Sequence, residues 1–132
     1  MNTGSTTKLN GSSAKPGIVI QLKTYDFECI DAAYRILSKD PPPHISIEGL
    51  AMEVGLNRTK LQYGFKLVYG SNIKDFQIEK RIEKAKLLLI TTDKAVKAIA
   101  PLSGYKNSSS FVAVFRKITG LTPLQYRKRN AV

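Results

Sequence analysis

Basic side chains are concentrated in the second half of the 132-residue sequence. Residues 58–132 carry sixteen Lys and Arg against four Asp and Glu, whereas residues 1–57 carry five against six. Ammonium and guanidinium groups gathered in this way attract a polyanion, either a nucleic acid or an acidic membrane surface. The charge alone does not distinguish these partners, but it places the binding face after Asn57.

Residues suited to catalysis or metal binding do not occur together in the sequence. The single histidine, His44, lies in a proline-rich connection, and the acidic residues after position 58 are spaced as helix-surface charges. Cys29 is the only cysteine, which excludes an internal disulfide and a cysteine-rich metal site and suits a reducing cytosol. We therefore expect that the protein is not an enzyme and that it binds neither a cofactor nor a metal. The acidic residues in question are Asp75, Glu79, Glu83 and Asp93.

The start of the chain differs in composition from the rest. Residues 1–16 are polar and rich in Gly, Ser and Thr, so they offer too little apolar surface to offset the entropy lost on ordering. The apolar stretch from Gly17 to Leu22 is too short for a signal-peptide core or a membrane span. We expect a soluble cytosolic protein in which residues 1–24 form a flexible tail or linker.

Apolar residues recur at helical spacing through most of the remaining chain. Asp26, Ser46 and Asn57 are predicted to start three helices, because these residue types cap helix N-termini. A longer helix is predicted from Ile73 to Leu89, and Thr92 marks the next start. The residues predicted to face the core are Phe27, Ile30, Tyr34, Leu37, Leu61, Phe65, Val68, Ile78, Ile82, Ala85, Leu89, Phe111, Val114 and Phe115.

Two segments of the sequence resemble each other. A helix-turn-helix needs a small residue where its helices cross and a residue that tolerates positive φ in the turn. Ala51 with Gly55, and Ala100 with Gly104, meet this requirement at an offset of forty-nine residues. Two later landmarks repeat at an offset of fifty, which places one extra residue in the second turn or early in the helix after it. These landmarks are Phe65 and Gly70, repeated as Phe115 and Gly120.

This repeat resembles the C-terminal DNA-binding domain of the AraC/XylS family of transcriptional regulators. The first segment is similar from Ala51 to Phe65, and Arg81-Ile82, Ala85 and Leu88-Leu89 are similar to the family's connecting helix. The second segment matches the family's C-terminal signature in order and spacing, so that roughly residues 26–129 are covered. The signature comprises Ile99-Ala100, Gly104-Tyr105, Ser110-Phe111, Phe115-Arg116-Lys117, Gly120, Thr122-Pro123 and Tyr126-Arg127.

The resemblance implies an all-α fold of about seven helices with two helix-turn-helix subdomains joined by a long connecting helix. We expect the first subdomain over residues 25–72, the connecting helix over residues 73–90 and the second subdomain over residues 91–132. A connecting helix of roughly 26 Å suits two recognition helices placed in successive major grooves about 34 Å apart. A monomer could then bind a long asymmetric promoter site in duplex DNA.

The resemblance also assigns roles to residues of the first recognition helix. Thr59, Gln62 and Tyr63 occupy base-facing positions, while Arg58 and Lys66 are placed for phosphate contacts. The Gln62 amide can pair with adenine N6 and N7, a contact worth about 1–3 kcal/mol of discrimination. Thr59 offers a methyl or a hydroxyl group, and Tyr63 is either a base contact or a packing residue.

The equivalent positions of the second recognition helix carry small side chains. The base-facing residues there are Ser108, Ser109, Val112 and Ala113. We therefore expect the first unit to supply most base specificity and the second to supply mainly phosphate contacts. The residues placed for those phosphate contacts are Lys106, Asn107, Arg116 and Lys117.

Three residues depart from the family pattern. Pro101 falls inside the first helix of the second unit, where proline removes a hydrogen bond, so this helix is expected to start late or to kink. Gln77 and Lys80 occupy connecting-helix positions that the family usually makes apolar, which indicates a register difference or looser packing.

Other functions are compatible with the charge. Lys74 to Lys86 could form a basic amphipathic helix for acidic lipid or a protein partner, or the basic face could package DNA without sequence preference. The repeat favours a regulator without a membrane partner. The resemblance further implies activation through RNA polymerase, with repression left open. It leaves two possibilities for the chain, a stand-alone regulator or the C-terminal part of one with a sensing domain.

Overall fold

The computed structural model describes residues 20–131. This part of the chain forms seven α-helices and no β-strand, which confirms the predicted all-α fold. None of these helices is both long and apolar enough to cross a membrane. The flexible tail was predicted over residues 1–24, of which residues 1–19 lie outside the described residues. Within residues 20–24, Leu22 is buried and Thr24 begins the first helix. The helices are α1 (Thr24–Leu37), α2 (Ile47–Val54), α3 (Arg58–Tyr69), α4 (Ile73–Thr91), α5 (Val96–Leu102), α6 (Ser108–Thr119) and α7 (Pro123–Arg129).

The described residues form two compact units. The first unit comprises residues 20–36 and 45–75, and the second comprises residues 37–44 and 76–131. Residues 37–44 follow α1 in sequence but are anchored within the second unit. Arg81 Nη2 donates a hydrogen bond to the Pro43 carbonyl oxygen at 3.1 Å, and Lys84 Nζ lies 2.8 Å from Asp40 Oδ1.

Helix α1 begins at Thr24, two residues before the predicted start. Asp26 is therefore not the N-cap but the third helical residue, where its buried carboxylate accepts the Lys23 backbone N–H at 2.9 Å. This is the contact that the third residue makes in a capping box. The predicted start was wrong because an acidic side chain satisfies a helix N-terminus from either position.

The core of the first unit is built from residues of α1, α2 and α3. Leu61 and Phe65 are fully buried, as predicted, and so is Leu50. Phe27 and Val68 were also expected to be buried but are 40% and 46% exposed. Phe27 lies in the first turn of α1 and Val68 in the last turn of α3.

Helix α4 buries three of its four predicted core residues, and it also buries Ile73 and Phe76, which were not predicted. The helix runs to Thr91, slightly past the predicted end. Ile82, Ala85 and Leu89 are buried, whereas Ile78 is half-buried. The same residue types recur at the same spacing fifty-two positions earlier as the buried Ile30, Ala33 and Leu37 of α1. The repeat therefore includes the helix before each helix-turn-helix, which the sequence analysis did not detect.

Helix α5 starts at Val96 with Ala95 as an N-cap that makes no side-chain cap hydrogen bond. The start predicted at Thr92 is wrong, because the Thr92 hydroxyl donates to the Leu88 carbonyl oxygen at 2.6 Å, at the end of α4. A late start was one of the two outcomes expected from Pro101. The helix nevertheless includes this exposed proline in its last turn.

The core of the second unit centres on α6. Phe111 and Phe115 are fully buried, with ring centroids 5.7 Å apart. Gly120 ends α6, and Thr122 starts α7 through a complete capping box with Gln125. The two aromatic residues of α6 therefore face inward and leave the opposite side of this helix toward solvent.

Candidate nucleic-acid interface

Gly55 forms the turn between α2 and α3 and has a φ of +79°. A Cβ atom at this position would be strained by that φ and would lie 2.8 Å from the Tyr25 hydroxyl oxygen. That hydroxyl donates a hydrogen bond to the Gly55 carbonyl oxygen at 2.9 Å. Ala51, which is buried, accepts the N–H groups of Gly55 and Leu56. The first turn is thus held from α1 by Tyr25, a contact that the sequence analysis missed.

The outer face of α3, which we define as Thr59, Gln62, Tyr63 and Lys66, lies opposite its buried residues. Thr59, Gln62 and Lys66 are exposed, and Tyr63 is half-buried. At 3.6 residues per turn these four side chains fall within an arc of about 100°. The structure therefore brings the three residues with predicted base contacts together with Lys66 on one solvent-facing surface.

Arg58 lies in the first turn of α3 and forms an ion pair with Glu48 of α2. The two side chains are 54% and 64% exposed. An ion pair this exposed contributes little to stability and is exchanged readily for another anion. Arg58 is consequently available to a phosphate only in competition with Glu48.

The side of α3 that faces α1 carries features that the sequence analysis missed. Lys60 Nζ lies 3.3 Å from the buried carboxylate of Asp26. Four residues later, a Cβ atom on Gly64 would lie 2.1 Å from Cδ1 of Ile30. The offset between Asp26 and Lys60 is thirty-four residues, so no local pattern indicates this contact.

Gly104 occupies the turn of the second unit and has a φ of +96°. Arg81 takes the place that Tyr25 has in the first unit, since a Cβ atom on Gly104 would lie 2.9 Å from Arg81 Nε. The Arg81 guanidinium also lies over the Tyr105 ring, 5.2 Å from its centroid. Burial raises the pKa of Tyr105, and Arg81 opposes that shift. The buried Ala100 accepts the N–H groups on either side of Gly104.

The extra residue of the second unit lies in its turn. The Leu56 N–H donates to Ala51, and the Tyr105 N–H donates to Ala100 in the same way. The buried Leu56 and Tyr105 therefore occupy equivalent positions in the two units. Leu56 is followed directly by the N-cap residue Asn57, whereas Tyr105 is followed by Lys106 and then by the N-cap residue Asn107. The exposed Lys106 is therefore the insertion.

The outer face of α6, which we define as Ser109, Val112, Ala113 and Arg116, occupies the same positions on its helix fifty residues later. Ser109, Ala113 and Arg116 are exposed, whereas Val112 is half-buried and packs against the core. Ser108 is half-buried beside this face, and Lys117 is exposed.

Asn107 has a structural part in the second unit that limits its other contacts. Its side-chain oxygen accepts the Ser110 N–H at 2.8 Å, as the Asn57 oxygen accepts the Lys60 N–H at 2.8 Å in the first unit. The cap uses the side-chain oxygen as an acceptor, so the side-chain NH₂ of Asn107 is the group that can donate to a phosphate.

Cations on α4 contact other groups of the second unit. Lys84 pairs with Asp40, while Lys80 lies over the Phe76 ring and Lys86 over the Tyr126 ring. Lys80 is half-buried, at a position where the resemblance expects an apolar residue. Residues 20–131 contain no group of three or more His, Cys, Asp or Glu side chains arranged to hold a metal.

A protein-family profile described as a helix-turn-helix domain matches residues 50–129. An uncharacterized HTH-type transcriptional regulator in the cgkA 5′ region of Pseudoalteromonas carrageenovora is 39% identical over 84 residues, covering 64% of this chain and 49% of that protein. The xylose operon regulatory protein of Escherichia coli K12 is 32% identical over 87 residues, covering 66% of this chain and 22% of that protein. The chain therefore spans half or less of the length of these two relatives.

Among solved structures, the DNA-binding domain of the global transcriptional factor AdpA, in complex with a target DNA, has a similar fold. Its TM-score is 0.66 at 24% identity, and the match covers 81% of this chain and 93% of that domain. The profile match extends from Leu50 in α2 to Arg129 in α7 and so includes both helix-turn-helix units. The chain belongs to the AraC/XylS family of helix-turn-helix transcriptional regulators.

Proposed function

We propose that this chain binds specific promoter sites in duplex DNA by placing α3 and α6 in adjacent major grooves, and that it activates transcription. The observation that carries the proposal is the repeated recognition helix. Both α3 and α6 have twelve residues, an asparagine N-cap and a glycine C-cap, and each follows a glycine turn. Two such helices, each with a solvent-facing outer face, are suited to entering a groove.

The length of α4 supports a site that spans two grooves. Its nineteen residues correspond to about 28 Å at the usual helical rise, comparable to the spacing of about 34 Å between successive major-groove segments. The AdpA DNA-binding domain, which has a similar fold, was solved in complex with a target DNA. One copy of this chain per asymmetric site, in the bacterial cytosol, is part of the proposal.

We assign base contacts mainly to the outer face of α3. Gln62 can donate to and accept from one adenine, and Thr59 and Tyr63 share its outer face. On the outer face of α6, Ser109 and Ala113 offer little discrimination. The residues proposed to contact phosphates are Arg58, Lys66, Lys106, Asn107, Arg116 and Lys117, and none of the ion pairs among residues 20–131 involves Lys66, Lys106, Arg116 or Lys117.

The DNA proposal is tested by selecting duplexes from a random pool and measuring the affinity of the winner against a scrambled duplex at about 150 mM salt, a fixed value because phosphate contacts depend on salt. We expect a preference of about 10³-fold or more and an asymmetric consensus spanning two groove segments. Equal affinities for the two duplexes would support DNA packaging without sequence preference. Binding to anionic vesicles and not to duplex DNA would support the lipid alternative.

The activating role needs a separate experiment. A promoter carrying the selected site is transcribed in vitro by bacterial RNA polymerase with and without the protein. More transcript supports activation through polymerase, whereas less transcript shows that the chain represses.

A further inference from the structure

An ion pair between α1 and α3 lies in the first unit, away from the proposed DNA-facing surface. Asp26 Oδ2 and Lys60 Nζ are 3.3 Å apart, and the two side chains are 6% and 34% exposed. Among residues 20–131, Asp26 is the one buried carboxylate. The Lys23 backbone N–H holds the pKa of Asp26 below its ordinary value, and Lys60 adds to this shift against the opposing effect of burial. The carboxylate is therefore charged at neutral pH, and removing Lys60 would leave that charge poorly paired.

A second contact lies one turn along the same side of α3. A Cβ atom on Gly64 would lie 2.1 Å from Ile30 Cδ1 and 3.2 Å from Leu22 Cδ1, so the side chains before and within α1 approach the α3 backbone closely. Two contacts one turn apart on one side of a helix restrict both its rotation and its position along its axis. Lys60 and Gln62 lie on nearly opposite sides of α3, because a separation of two residues at 3.6 residues per turn places them about 160° apart around the helix axis.

We propose that the Asp26–Lys60 ion pair sets the rotation of α3 that brings Gln62 to its base, so that Asp26 and Lys60 are positioning residues for sequence specificity. This inference rests on the DNA-binding function proposed above. A bidentate contact requires its side chain to be held within about 0.5 Å of the productive position. Lys60 would help to hold Gln62 in that position without contacting DNA itself, because its ammonium group is directed toward α1.

The second unit lacks this arrangement. Fifty residues after Lys60 and Gly64 the chain carries Ser110 and Val114, and fifty-two residues after Asp26 it carries Ile78. The ion pair therefore occurs in the unit whose outer face carries Gln62, and it is missing where the equivalent residue is Val112.

The test compares Lys60→Met with the matched control Lys66→Met, which removes the same charge from the outer face of α3. The ratio of the dissociation constants for scrambled and selected duplexes is measured over a range of salt. Lys60→Met should reduce the ratio by about fivefold or more, the lower bound for one bidentate base contact, without changing the salt dependence. Lys66→Met should weaken binding to both duplexes similarly and reduce the salt slope by about 1.

Two further variants separate positioning from general stability. In a Gln62→Ala background, Lys60→Met should have almost no additional effect on the ratio, because the contact that it positions is already gone. Asp26→Asn still accepts the Lys23 N–H and should reproduce the loss, while Lys60→Arg should retain wild-type specificity. Circular dichroism at the assay temperature establishes that each variant is folded.

An unchanged ratio for a folded Lys60→Met or Asp26→Asn variant would overturn the inference, and so would a loss that persists in full without Gln62. A salt slope lowered by Lys60→Met would make Lys60 a phosphate contact instead. A wild-type ratio close to one refutes the proposed function itself, and this result is obtained before any variant is made.

Discussion

The two helix-turn-helix units share a backbone frame but differ in the side chains that act on it. In each unit a glycine turn leads to an asparagine-capped helix of twelve residues. The first turn is held by the Tyr25 hydroxyl and the second is approached by the Arg81 guanidinium. The outer faces diverge further, since Gln62 corresponds to the half-buried Val112. A duplicated frame can thus keep its geometry while the capacity to discriminate bases is concentrated in one copy.

The largest expected effect tests whether the two units have separate cores. Phe65→Ala and Phe115→Ala each remove a fully buried ring and should cost about 3–5 kcal/mol. Urea denaturation gives the loss, and amide hydrogen exchange shows where protection falls. We expect α1–α3 to lose protection in the first variant and α5–α7 in the second. Equal loss throughout residues 20–131 in both variants would show a single cooperative core.

The next largest effect concerns the unequal capacity of the two outer faces to discriminate bases. Gln62→Ala should lose about 1–3 kcal/mol of discrimination at one base pair, because its amide can read an adenine in two places. Ser109→Ala should change discrimination little while leaving the fold intact. The measurement is fluorescence anisotropy with duplexes that carry each base pair in turn. Similar losses for the two variants would contradict the proposed division of roles.

A smaller effect concerns the asparagine N-cap that the recognition helices of both units share. Asn57→Ala and Asn107→Ala each remove an N-cap hydrogen bond of 2.8 Å and should destabilise the protein by about 1 kcal/mol. Serine at either position should restore most of that loss. Thermal unfolding provides the comparison, and a cost at only one of the two sites would show that the frames are not equivalent.

The smallest expected effect is the dependence of stability on pH that Asp26 gives to the first unit. Asp26 has a lowered pKa in the folded chain, principally from the Lys23 N–H, so its stabilisation is complete above the unfolded carboxyl value of about 3.9. It is lost as the pH falls from there through the lower folded value. Asp26→Asn should remove this part of the acid sensitivity in a urea titration across that range. An unchanged acid profile would show that Asp26 has the same pKa in the folded and unfolded states.

Local signals in the sequence predict much of this fold. Ser46, Asn57 and Thr122 mark helix starts because their side chains satisfy free N–H groups. The positions of Gly55 and Gly104 indicate the turns, since few other residues adopt a positive φ. The resemblance adds the positions of the outer faces, which the structure places toward solvent.

The sequence could not predict how ambiguous side chains are used or which residues of different helices meet. Thr92 has the residue type of an N-cap but bonds backward to α4, and nothing local distinguishes these two uses. Asp26 and Lys60 meet only because α1 packs on α3, and Arg58 pairs with Glu48 for a similar reason. The Asp26–Lys60 and Arg58–Glu48 contacts depend on packing that exists only after the helices assemble.

The unequal contribution of the two similar units to specificity is tested most directly by replacing every base pair of the selected site in turn and measuring the change in affinity at fixed salt. We predict that costly positions, at about 1–3 kcal/mol each, cluster in the segment bound by α3 and that the segment bound by α6 tolerates most changes. Equal costs in both segments would contradict this unequal contribution.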